Sequence, residues 1–173
     1  SVLSDFRRER LLQTFSRLKL PVANIDGLYE HFVWVDQPLD ASGESRLTQL
    51  LDYGVQEPAF SEDKRTLVLR VIPRPGTVSP WASKATDIAH NCGLAAVRRI
   101  ERGIRYVIQP ARGLLGTQTF TEEQLAQVAA CLHDRMTETV VDAQFDGQAL
   151  FASLPGKPMA LVPVLKQGRV ALE

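Results

Sequence analysis

The period of the apolar residues most constrains this chain, because it switches repeatedly between the three-to-four spacing of a helix and the every-second spacing of a strand. Read from 4 to 72 the order is helix, strand, helix, strand, and from 79 to 141 the same order recurs. Leu11, Leu12, Phe15 and Leu18 form the first helical stripe, with Ser4 as N-cap, Pro21 as stop, and Arg7, Arg8, Arg10 and Arg17 largely on the other faces, where a solvated face is expected ahead of an anion-binding cluster because Glu9 is interleaved. An aromatic and β-branched run after Gly27 predicts a strand with Tyr29, His31, Val33 and Val35 on one face. A second helix carries Leu47, Leu50 and Leu51, with Ser42 expected to cap it and Gly54 to end it. The polar stretch 55–65 is expected to be a surface loop, and Thr66–Ile72, apolar on both faces except at Arg70, a central strand.

The second half opens on a strong start signal. Ser79 supplies a capping oxygen and Pro80 occupies the first helical position, where a missing N–H costs nothing. Trp81, Ala85, Ile88, Ala89 and Cys92 are expected to line the buried stripe, and Gly93 to stop the helix. The run from Val97 to Ile108 alternates, with Ile100, Ile104, Tyr106 and Ile108 on one face and Arg99, Glu101 and Arg105 on the other; it is either one long strand or a hairpin turning near Gly103. Thr121 and Gln124 spell a capping box for the next helix, and Thr137–Val141 is expected to close the sheet. Strands alternating with helices, joined partly by short loops, favour an α+β, two-layer packing with helices on the face of an antiparallel sheet, and the repeated order suggests a pseudo-twofold body. The segment from Phe145 reads as a linker.

Composition narrows function mainly by exclusion. The 173 residues carry 20 Lys+Arg against 20 Asp+Glu and are 45% hydrophobic, so the broad basic field that nucleic-acid or anionic-membrane binding uses is missing. No stretch approaches the roughly 18 apolar residues of a bilayer span, and the N-terminal stretch lacks the pattern of a secretory signal. Cys92 and Cys131, without a Cys-x-x-Cys pair, are expected to be reduced thiols of a cytoplasmic protein. His31, lacking a second ligand at metal spacing, reads as a part-buried, hydrogen-bonded histidine.

Two segments concentrate functional side chains. In the first, Arg74, the helix start at Ser79, Trp81 and Lys84 could hold an anion by charge and helix dipole; the alternative is a rigid docking corner in which Ser79 caps and Lys84 pairs with Asp87. In the second, His133, Asp134, Arg135 and Glu138 gather at a helix end, where a metal or acid–base role competes with a structural one, helix-end electrostatics and an Asp–Arg clamp.

These segments, Pro73–Leu94, Val97–Ile108 and Leu132–Val140, resemble in order and spacing the N-terminal region of the large single-chain phosphoribosylformylglycinamidine synthase, or formylglycinamide ribonucleotide amidotransferase. Weaker similarity runs through Leu11–Ile25, Tyr29–Val35 and Leu165–Glu173. The resemblance implies a ligase of purine biosynthesis that activates an amide oxygen with ATP and replaces it with ammonia drawn from glutamine. It places ATP, Mg2+ and substrate in a later synthetase region and the glutaminase residues in a C-terminal domain, so no catalytic residue and no metal site is carried onto this chain. It further implies a fused pair of small structural subunits, a PurS-like scaffold over 1–143 followed from 144 to 173 by the start of a linker, cut from a longer enzyme. Its partners are the synthetase and glutaminase domains of the same polypeptide, with no nucleic acid or membrane. Arg74, Ser79, Trp81, Lys84, Asp87, His133, Asp134 and Arg135 are the expected interdomain contacts; phosphate or nucleotide binding at Arg74–Lys84 is the competing expectation.

Overall fold

The computed structural model describes residues 2–54, 65–113, 116–117 and 119–152. In chain order these form α1 (Asp5–Arg17), β1 (Val22–Val35), α2 (Ala41–Leu51), β2 (Leu67–Pro73), α3 (Pro80–Asn91), β3 (Val97–Pro110), a small ribbon of β4 (Arg112–Gly113) and β5 (Gly116–Thr117), α4 (Glu122–Leu132), β6 (Glu138–Val141) and α5 (Gln148–Phe151). The sheet is antiparallel, in the order β1-β3-β2-β6. The fold is therefore α+β, as the periodicity predicts, and β2 is interior. Residues 55–64 of the expected loop over 55–65, and the segment 153–173, lie outside the described residues.

Two long strands form the centre. β3 runs unbroken through Gly103, so the hairpin alternative is not realised; the continuous register of β1 against β3, from Ile25 opposite Ile108 to Val33 opposite Ile100, supplies the pairing that holds it straight. Gly103 is needed there for space: a Cβ on it would stand 2.8 Å from the Val71 carbonyl oxygen. The repeated element order is real, but exchange of the two halves does not carry the sheet onto itself. β1 and β3 are partners of equal length, whereas β2 and β6 both lie on the β3 side.

Strand alternation gives the sheet one face for α1 to α4. Phe15 of α1 and Val128 and Leu132 of α4 enclose Ile25, Val71, Tyr106 and Ile108 in one core. Ala89 of α3 and Leu47, Leu50 and Leu51 of α2 enclose Ile100 and Val97 in a second. Each fully buried large apolar side chain contributes about 1.5–3 kcal/mol to these cores. Arg8 shares the α1 stripe with Leu11, Leu12 and Phe15 and reaches the buried carboxylate of Asp26 at 3.6 Å, which corrects its assignment to an outer face. On α3 the fully buried positions are Ala82 and Ala89, and Ile88 is exposed.

The caps show which local signals decide. Ser4, Ser79 and Thr121 cap as expected, the last with the complete capping box. Asp40, not Ser42, caps α2, accepting from the Gly43 N–H at 2.7 Å. A carboxylate one residue before the helix is already oriented toward the free N–H groups, whereas Ser42 lies inside the first turn. Beyond Ala143 the chain stays packed as far as Ala152. Phe145 stacks edge-on against Phe32, Phe151 meets Trp34, and Leu150 is fully buried.

Candidate functional site

The loop between β2 and α3 is built around a buried carboxylate. Glu101, fully buried on β3, accepts from the Ser79 N–H at 3.2 Å and from the Ser79 hydroxyl at 2.8 Å, while that hydroxyl accepts from the Ala82 N–H at 3.0 Å. The Arg99 guanidinium neutralises Glu101 and also donates to the Thr77 carbonyl. The Ser79 and Ala82 N–H groups at the start of α3 are thus taken by the chain's own carboxylate and serine. Of the two features expected of a docking corner, the Ser79 cap is present.

The second predicted segment is also a turn held by its own polar groups. His133 closes α4 with Nδ1 2.6 Å from the Ala129 carbonyl oxygen. Asp134 accepts from the Met136 N–H at 2.8 Å, and its own N–H donates to Glu138 at 2.9 Å. There is no Asp134–Arg135 clamp, because the Asp134 side chain turns back onto its own loop; Arg135 and Met136 project outward, Met136 with 82% of its surface exposed. The structure brings the two segments together: the Arg74 N–H donates to the Thr137 carbonyl at 2.9 Å, so Arg74 and the 133–137 turn share one end of the sheet. Among the described residues no three His, Cys, Asp or Glu side chains converge to hold a metal ion.

Trp81 and Lys84 belong to a different place, the helix-covered face of β1 and β3. His31 stands directly opposite Arg102 in the β1–β3 register. The Arg102 guanidinium lies between two rings, its central carbon 4.2 Å from the centre of Tyr29 and 4.6 Å from that of Trp81, with Tyr53 at 5.9 Å. His31 completes the cluster, 5.8 Å from Trp81 and with Nε2 3.3 Å from the Tyr53 hydroxyl. Burial, and then the charge of Arg102, hold the His31 imidazole below its ordinary range, so it is neutral at physiological pH. Beside this cluster α2 and α3 part around an apolar cavity of about 220 Å3, lined by Leu50, Leu51, Tyr53, Trp81, Ile88 and Ile100 with Lys84 alongside. Lys84 and Asp87 form no ion pair, and among the described residues neither Lys84 nor Arg102 has a carboxylate within ion-pair distance. Sequence reasoning missed Arg102, Tyr29 and Tyr53. The signal lies in the cross-strand register, which no single segment contains.

These features define the class: a two-layer α+β domain whose polar segments close its own turns and which presents an aromatic–arginine cluster at its surface. Residues 28–151 match the family described as formylglycinamide ribonucleotide amidotransferase N-terminal. The chain belongs to that family, the N-terminal domain of an amidotransferase of purine biosynthesis. Among the described residues no helix is long and apolar enough to cross a membrane.

Proposed function

We propose that this domain acts as a scaffold, joining the glutaminase and synthetase domains of the enzyme so that ammonia passes between them without release to solvent. The observation that carries this reading is the Trp81–Arg102–Tyr29–Tyr53 cluster at the edge of the α2–α3 cavity. Trp, Tyr and Arg are the residue types that dominate binding energy at interfaces, and here they are pre-oriented by one another beside an apolar recess. Arg74 with the 133–137 turn, where Arg135 and Met136 project, supplies a second contact surface. Arg74, Trp81, Lys84, Asp87, Arg135 and the His133–Asp134 turn are accordingly assigned to interdomain contacts, and Ser79 to holding the corner in shape. In this reading ATP, Mg2+, glutamine and the chemistry belong to the partner domains, and the enzyme works in the cytoplasm.

In the full-length enzyme, alanine at Lys84, Asp87 and Arg135 is expected to lower glutamine-dependent turnover while turnover with free ammonia is retained, since coupling and not the synthetase chemistry is disturbed. Unchanged glutamine-dependent turnover would contradict the proposal.

A further inference from the structure

A second cavity, of about 280 Å3, opens between α1 and α4 and is lined by Arg7, Arg10, Leu11, Thr14, Tyr106, Cys131 and Leu132. Its floor is Tyr106, which leaves only 2% of its surface exposed. Among the described residues the Tyr106 hydroxyl has no hydrogen-bond partner, yet it is not sealed from solvent, and Tyr106 lines this cavity. A phenol so deeply buried normally finds a partner. Arg7, Arg10 and Thr14 fall on one face of α1 by their spacing, and among the described residues neither arginine has a carboxylate within ion-pair distance. The Thr14 hydroxyl is committed to the Arg10 carbonyl.

We propose that this cavity binds a phosphate group, with the Tyr106 hydroxyl donating from the floor and Arg7 and Arg10 closing on it from the rim. Two guanidinium charges match a dianion, and the planar fork of each suits phosphate oxygens. The groups around the phenol agree with a donor role: burial raises its pKa most, Arg7 lowers it, and Glu138 and Tyr29 raise it further, so the hydroxyl keeps its proton. Leu11 and Leu132 leave room for a small apolar body on a phosphate monoester. The site is independent of the scaffold reading, since α1 and α4 carry none of the assigned interdomain contacts.

Calorimetric titration of the chain with inorganic phosphate, and separately with phenyl phosphate, against chloride at equal ionic strength, tests it. Saturable binding is expected, weakened tenfold or more by Arg7→Ala with Arg10→Ala and several-fold by Tyr106→Phe, with the thermal transition unchanged in both variants. Tighter binding of phenyl phosphate would assign the site to an ester, equal binding to the free ion. Heats no larger than chloride's would overturn the proposal. Binding that falls with the arginines but ignores Tyr106→Phe would also overturn it, reducing the effect to surface charge.

Discussion

Glu101 shows how one side chain can decide what a loop does. Its two oxygens take the Ser79 N–H, the Ser79 hydroxyl and the Arg99 guanidinium, so a carboxylate on the strand face opposite Ile100 is the anchor of the corner. Removing it leaves Arg99 without its counter-charge in a buried place. Glu101→Ala is expected to lower stability by about 3 kcal/mol or more, and Ser79→Ala by about 1–2 kcal/mol, in urea denaturation; equal, sub-kilocalorie losses would show that the network is not a structural one. At the other residue of consequence, His31, the sign follows from burial. The folded state disfavours the imidazolium, so its contribution is intact above the ordinary His pKa of about 6.5 and is lost as pH falls through the lowered folded value. An NMR titration should place the His31 midpoint below that of an ordinary histidine, and Arg102→Gln should move it partway back, because burial is the larger cause. A midpoint indifferent to Arg102 would remove Arg102 from the cluster's electrostatics.

Among the elements, local chemistry was legible and cross-strand chemistry was not. Ser4, Ser79 with Pro80, and Thr121 with Gln124 mark helix starts because capping involves residues at most three apart. The Arg102 cluster needs β1, β3, α3 and the end of α2 at once, and the Arg70–Glu30 pair, 2.7 Å apart, spans from β2 to β1 across β3. The packing of residues 145–152 is hidden for the same reason: α5 has too few residues for a period, and the aromatic contacts here run from Phe145 and Phe151 to Phe32 and Trp34 of β1. Gly147 sits at φ 83 with Phe32 Cδ1 only 2.7 Å from where a Cβ would stand. Gly147→Ala is therefore expected to detach α5 and expose Trp34 further, read as a red shift and stronger quenching of its fluorescence in a Trp81→Phe background. Unchanged quenching would mean that α5 does not depend on this turn.

For the whole molecule, the chain belongs to the N-terminal family of formylglycinamide ribonucleotide amidotransferase, and the proposed scaffold role has it work by contact with its partner domains. The neutral composition is consistent with recognition by a few oriented side chains instead of a broad field. Hydroxyl-radical footprinting, comparing the 173-residue chain with the same residues in the full-length enzyme, tests this most directly. Labelling of Trp81, Tyr53 and Met136 is predicted to fall several-fold in the full-length enzyme, with Tyr53 and Met136 open in the chain alone; equal labelling of all three in both would contradict the account.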